Sequence, residues 1–181
     1  MSKKRLVRFA LALGCVAVAA VALAQEMPKP GPEHESLGYF AGTWEFKGET
    51  KESPMGPGGE ITFTESCELF EGGFALVCES EGTNPMGPTK SFAIMSYDTE
   101  QEMYTYHAVE SNMPAFSAMG QREGETWNWT SETKMGPETM KIRVTITETS
   151  PTSYTFKLEM STDDGTNWMT SVEGTSTKAT S

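Results

Sequence analysis

The chain has 181 residues, with 25 acidic against 14 basic ones and a net charge of −11. That is one domain's length, and its acidity works against nucleic acid and anionic lipid surfaces as partners. With two histidines and three cysteines in all, a Cys/His metal cluster is not expected.

Lys3, Lys4, Arg5 and Arg8 precede an apolar run from Phe9 to Ala24, and Ala22-Leu23-Ala24 offers a small-residue cleavage site before Gln25. The run is short for a spanning helix, and no later stretch is apolar enough to span. The expectation is a signal peptide over 1–24 and a secreted or periplasmic product. Cleavage after Ala24 leaves 157 residues and, with four basic residues gone, a net charge of about −15. Leu13-Gly14-Cys15 suggests lipidation at Cys15 as a rival reading, but the apolar run continues past that cysteine.

Residues 25–32, QEMPKPGP, form a Pro-rich leader. A short helix is expected over 33–41, with Leu37 and Phe40 one turn apart. From there the apolar residues alternate. Trp44, Phe46 and Gly48 share one parity; Ile61 and Phe63 lead in register to Cys67 and Leu69; Phe74, Leu76 and Cys78 share a face. If Gly72-Gly73 is a two-residue hairpin turn, Glu71 faces Phe74 and Cys67 stands opposite Cys78. Opposed antiparallel residues lie about 4.5–5.5 Å apart at Cα, within disulfide range, and an oxidising compartment would close the bridge. Two buried thiols are the alternative.

Two strands are ambiguous. Phe92 and Ile94 alternate with the equally apolar Ala93 and Met95, and EMYTYHAVE (102–110) gives no clear face. Further on, Trp127 and Trp129, then Ile142, Val144 and Ile146, then Tyr154, Phe156, Leu158 and Met160 each alternate with polar residues, and Trp168, Thr170 and Val172 close the series. This period-two pattern predicts about ten strands, near 43–50, 59–70, 74–82, 89–97, 102–109, 115–121, 125–133, 139–149, 152–160 and 167–176. The fold expected is all-β: an antiparallel up-and-down barrel over 33–177 with a short N-terminal plug helix, closure removing the sheet edges. Residues 178–181 are expected to be a disordered tail.

In such a barrel, loops after odd-numbered strands share one end and loops after even-numbered strands the other. The even connections are short turns. The odd ones include three Met-Gly-Pro triplets and SNMP, which places Met55, Met86, Met113 and Met135 on one rim. The helix enters at the opposite end, where Leu37 and Phe40 would close the floor.

The run EHESLGYFAGTWEFKGETKESPMGPGG leading to CELFEGGFALVCESEG, with IMSYDTEQEMYTYH and ITETSPTSYTFKLEMSTDDG, resembles a bacterial family of secreted proteins, domain of unknown function family 1579. The resemblance covers about 30 to 177 and implies a lipocalin-like (calycin) barrel with no known activity. GTWEFKG, 42–48, is similar to nitrobindin-type ten-stranded barrels, whose haem is held by a histidine near the chain's end; here residues 108–181 contain none.

Candidate chemistry is sparse. His34 precedes the plug helix and is expected to be solvated. His107 lies on the fifth strand and, if it points inward, could bind metal or move protons. DDGTN, Asp163 to Asn167, reads as a hairpin turn, because it lacks the rest of a calcium-loop pattern. The sequon at Asn128 falls mid-strand, where an oligosaccharide is not expected. The rim methionines could cover the barrel mouth, meet an apolar partner, or bind Cu(I) through their thioethers. The leading expectation is a non-enzymatic binder of a small apolar or amphipathic molecule, without metal or cofactor. It would be held in the interior among Trp44, Phe63, Leu76, His107, Trp127, Trp129, Phe156 and Trp168. A barrel enzyme using His107 (an isomerase or haem-dependent detoxifier) and a copper-handling rim are the alternatives.

Overall fold

The computed structural model describes residues 28–179 apart from 54, 55, 136 and 137, and the side chains of Met135 and Glu138 are likewise outside the description. The expected signal peptide (1–24), the start of the Pro-rich leader and Met55 therefore lie outside the described residues. A one-and-a-half-turn helix α1 (Pro32–Ser36) runs into a 3-10 turn (Leu37–Phe40), and ten strands follow. They are β1 (Gly42–Thr50), β2 (Gly59–Leu69), β3 (Ala75–Asn84), β4 (Gly87–Asp98) and β5 (Met103–Glu110), then β6 (Met113–Glu123), β7 (Thr126–Met135), β8 (Glu138–Ser150), β9 (Ser153–Ser161) and β10 (Met169–Lys178). Each boundary lies within two residues of its expected place. The strands close into one antiparallel barrel in which β1 pairs with both β2 and β10.

The closing seam runs into the expected tail: Lys178 pairs with Trp44 as the last residue of β10, and Ala179 N–H donates to Thr43 O at 2.8 Å. The turn between β2 and β3 is also wider than a Gly-Gly hairpin. Phe70 N–H bonds Ala75 O, and Gly73 N–H bonds back to Phe70 O. The register survives this change, so Cys67 pairs with Cys78 and the two form a disulfide across the strands.

Strand registers sort every described side chain into inward or outward. The ambiguous pair resolves to Ala93 and Met95 inward on β4, and Tyr104, Tyr106 and Ala108 inward on β5. Phe92, Ile94 and Val109 face outward and are substantially exposed.

The plug closes the tight-turn end. Leu37 and Phe40 are buried against Trp44, Leu76 and Trp127 in the main apolar cluster. Polar contacts fasten the same segment. Trp44 Nε1 donates to Phe40 O at 2.8 Å, Ser36 Oγ and Tyr104 Oη share a 2.8 Å hydrogen bond, and Tyr39 Oη donates to the carbonyls of Ser150 and Ser153 in the β8–β9 turn. His34, expected to be solvated, is instead 5% exposed. Its ring packs edge-on against Phe74 and Tyr97, and its Nδ1 accepts from Gly31 N–H, so helix α1 folds it onto the barrel floor.

Candidate functional site

A ten-stranded barrel is wider than the eight-stranded kind whose own side chains can fill it. How this one is occupied differs along its axis. In the plug-side half, Trp44, Leu76, Cys78, Met95, Tyr104 and Trp127 are buried and tightly stacked, with Tyr104 and Trp127 ring centres 4.9 Å apart and Phe40 5.1 Å from Trp127. Arg122 and Glu148 seal one side of this floor. Glu148 Oε1 accepts from Arg122 Nη2 at 2.8 Å and from Trp127 Nε1 at 2.7 Å, while the guanidinium lies over the Trp127 ring.

Towards the other end the inward side chains are only half-buried: Phe63, Glu65, Tyr106, Phe116, Ile142, Val144, Phe156 and Leu158. Several inward positions there carry almost no side chain, among them Gly48, Ser80, Gly82, Ser91 and Gly174. Aromatic rings lie across the glycines. A Cβ at Gly48 or Gly174 would sit within 2.8 Å of the Phe46 ring, and one at Gly82 within 2.4 Å of Phe63 Cβ. Phe46 and Phe63 stack at 4.5 Å and Phe156 meets Phe46 edge-on, so β2, β1 and β9 share one aromatic wall. Phe46 and Met140 are buried within this tier. The arrangement is a cup: an aromatic lining above a solid floor.

One carboxyl projects into the cup just above the floor, with a tyrosine of the cup and a tyrosine of the floor near it. Glu65 on β2 stands opposite Trp44 and Ser80, between Phe63 and Cys67 on the same face. Its carboxyl lies within 4.8 Å of both disulfide sulfurs; those sulfurs, being oxidised, are not thiolate metal ligands. Burial pushes its pKa up to about 7, and nothing lowers it. Tyr106 on β5 and Tyr154 on β9 are raised too, chiefly by burial and further by the charge of Glu65. At the mouth, Glu110 is also raised by burial. Ser176 Oγ, on the inward register opposite Tyr154, is buried without a hydrogen-bond partner of good geometry.

The expected interior residues divide. Trp44, Leu76, Trp127 and Trp129 face inward and are buried, and Phe63 and Phe156 line the cup. Two do not belong there. His107 faces outward and is exposed, with Nδ1 2.8 Å from Ser117 Oγ, because its neighbours Tyr106 and Ala108 take the inward parity. That removes the geometric premise of an enzyme built on an interior His107. Trp168 also lies outside, since β10 begins only at Met169 and a bulge at Ser171 shifts the parity. Its ring sits under the Arg143 guanidinium, 4.2 Å away, and its Nε1 donates to Gly165 O. Glu65 and Tyr106 were missed. The available signal was a lone carboxylate at an apolar parity, between Phe63 and Cys67.

Met86, the start of β6 at Met113 and the end of β7 at Met135 lie at the end opposite the plug, and Met86 and Met113 are 61% and 47% exposed. Asp163 organises the β9–β10 connection as a turn, accepting from Ser161 Oγ and from Asn167 N–H and Nδ2. The Asn167 bonds foremost hold its pKa down at about 2. Asn128 faces outward mid-strand on β7. A shallow trough of about 640 Å³ on the outer wall runs between Glu79, Glu81, Lys90, Phe92 and Val109. It is open to solvent, and Ser80, Ser91 and Glu110, which take the inward parity, line it as well.

A family model described as "Protein of unknown function (DUF1579)" matches residues 29–178. Among solved structures, Rv2717c from M. tuberculosis is similar in fold (TM-score 0.58, 11% identity, covering 83% of this chain and 99% of that one). So is the S-type phycobiliprotein lyase CPES from Guillardia theta (TM-score 0.53, 13% identity, 82% and 93%). No curated protein matches.

Proposed function

Starting from a chain that belongs to DUF1579, a family of proteins of unknown function, we propose that the barrel is a non-enzymatic binder of a small apolar or amphipathic molecule, taken up in the cup. The observation that carries this reading is the contrast along the axis. The floor side chains are buried and ring-stacked, while the inward side chains above them are aromatic or aliphatic, interleaved with glycine and serine, and half-buried. A concave, mostly apolar lining with a few converging polar groups is what small-molecule sites look like. One barrel of similar fold is a phycobiliprotein lyase, which fits a fold able to handle small molecules. Export to an oxidising compartment is supported by the Cys67–Cys78 disulfide together with the basic, then apolar, N-terminal pattern.

Native mass spectrometry of protein purified from its host tests both statements. An adduct released by organic extraction, on a chain beginning at Gln25, is expected. Calorimetry with octan-1-ol should show binding that weakens about tenfold or more in Val144→Trp, which fills the cup. No adduct and no octanol binding would overturn the binder reading.

A further inference from the structure

The cup is electrostatically one-sided. Among the described residues its inward acidic groups are Glu65, Glu110 and, at the floor, Glu148. The inward basic groups are Arg122 and Lys178, and both are at the plug end. Arg122 is held by Glu148, and the Lys178 ammonium lies 5.1 Å from the centre of the Trp44 ring. Every other described basic side chain on the strands faces outward, where Lys90, Lys141, Arg143 and Lys157 pair with surface carboxylates. Glu65 is thus a half-buried carboxyl facing the cup, with no cation and no hydrogen-bond donor from the protein among the described residues.

The fold gives this carboxylate no partner. A carboxylate that gives up part of its hydration is ordinarily paired or hydrogen-bonded in return. Burial alone drives its pKa towards neutrality here. Its surroundings are suited to receiving a partner. Phe63 flanks it on β2, Ser80 stands beside it on β3, and its charge is felt by the phenols of Tyr106 on β5 and Tyr154 on β9.

We propose that Glu65 is the recognition anchor of the cup, and that the ligand carries a cationic amine head on an apolar body. The ammonium donates to the Glu65 carboxylate, and the phenol oxygens of Tyr106 and Tyr154 accept hydrogen bonds from its remaining N–H groups. The apolar body lies along the Phe46–Phe63–Phe156 wall towards the mouth. Aromatic faces also favour a cation electrostatically. This rests on the binder reading above and adds the chemical class of the ligand.

The test compares octylamine, octan-1-ol and octanoate by calorimetry near neutral pH at about 0.15 M salt, where surface attraction to an acidic protein is screened. Wild type should bind the amine at least about tenfold more tightly than the alcohol, as a charge-assisted hydrogen bond would give. Glu65→Gln keeps the side chain's shape. It should bring amine and alcohol within about threefold of each other, and a cooperative thermal unfolding transition like that of wild type reports that the barrel is folded. Glu110→Gln should retain the preference. Equal binding of amine and alcohol, a preference for octanoate, or an amine preference that survives Glu65→Gln would overturn this inference and leave the binder reading standing. Binding of none of the three would overturn both.

Discussion

At the scale of single residues, Glu65 makes the barrel less stable than it could be. Its folded pKa of about 7 lies above the ordinary 4.5, with burial as the cause. The groups facing it are Tyr106 and Tyr154, with Glu110 further towards the mouth, and none supplies positive charge. Between those two pH values the folded protein therefore holds a proton that the unfolded chain has released. Stability is full below about pH 4.5 and falls as pH rises through about 7. The penalty above that range is at most about 3 kcal/mol. Glu65→Gln removes the ionisation, so it should be more stable than wild type by about 1–3 kcal/mol near pH 8, with the difference fading towards about pH 4.5. Urea denaturation at the two pH values measures this. Equal stability at the higher pH would mean that the carboxyl finds a partner or water that relieves it.

At the scale of elements, the plug and the cross-strand disulfide brace the same end. Leu37 is fully buried beneath the barrel, so Leu37→Ala should cost about 2–5 kcal/mol through lost burial and the cavity left behind. Tyr39→Phe removes only the hydroxyl that bridges Ser150 and Ser153, and about 1 kcal/mol is expected. Opening the Cys67–Cys78 link, which spans 11 residues, should cost about 2–3 kcal/mol in the chain-entropy account. Thermal denaturation of the three variants gives the order, and a Leu37→Ala change as mild as Tyr39→Phe would argue that the plug is not docked.

These elements also show what periodicity can and cannot reveal. β7, β8 and β9 were legible because tryptophan, isoleucine, leucine and tyrosine alternate there with asparagine, threonine and lysine. β4 was not, since Phe92 and Ile94 are larger than Ala93 and Met95 yet face solvent; on a barrel wall small inward residues suit the curvature and crowding better than bulk. Parity carried the loops to the correct ends because the strand count was right. It could not foresee the bulge at Ser171, which decouples Trp168 from Val172. Nor could hydrophobicity point to Glu65, the one residue on β2's inner face that breaks the apolar pattern. The cup was hidden for a related reason. Its lining depends on inward glycines on β1, β3 and β10 that let Phe46 and Phe63 lie against the wall, and on inward serines on β3 and β4, residues that read in sequence as turn formers or weak strand formers.

At the scale of the whole molecule, the two ends of the barrel should differ in rigidity. The same ten strands run from a floor stacked with Trp44, Tyr104, Trp127 and Phe40 to a tier where half-buried side chains surround small ones. Local opening is easiest where few buried apolar contacts back the backbone hydrogen bonds. Amide exchange in the mouth-side halves, such as residues 59–63 of β2 and 139–143 of β8, should therefore be faster than in the plug-side halves, such as 75–78 of β3 and 126–129 of β7. Filling the cup adds the missing contacts, and any ligand that binds only the folded state stabilises it by mass action. Saturating octan-1-ol should slow exchange in the mouth-side segments selectively, while the floor, already protected to the limit of global unfolding, changes little. Hydrogen–deuterium exchange with peptide-level mass spectrometry resolves the two halves of each strand. Uniform protection along the strands without ligand would show that the upper tier is as tightly packed as the floor and that no cup exists. Protection on octanol addition appearing instead on the outer wall around Phe92 and Val109 would move the binding site out of the barrel altogether.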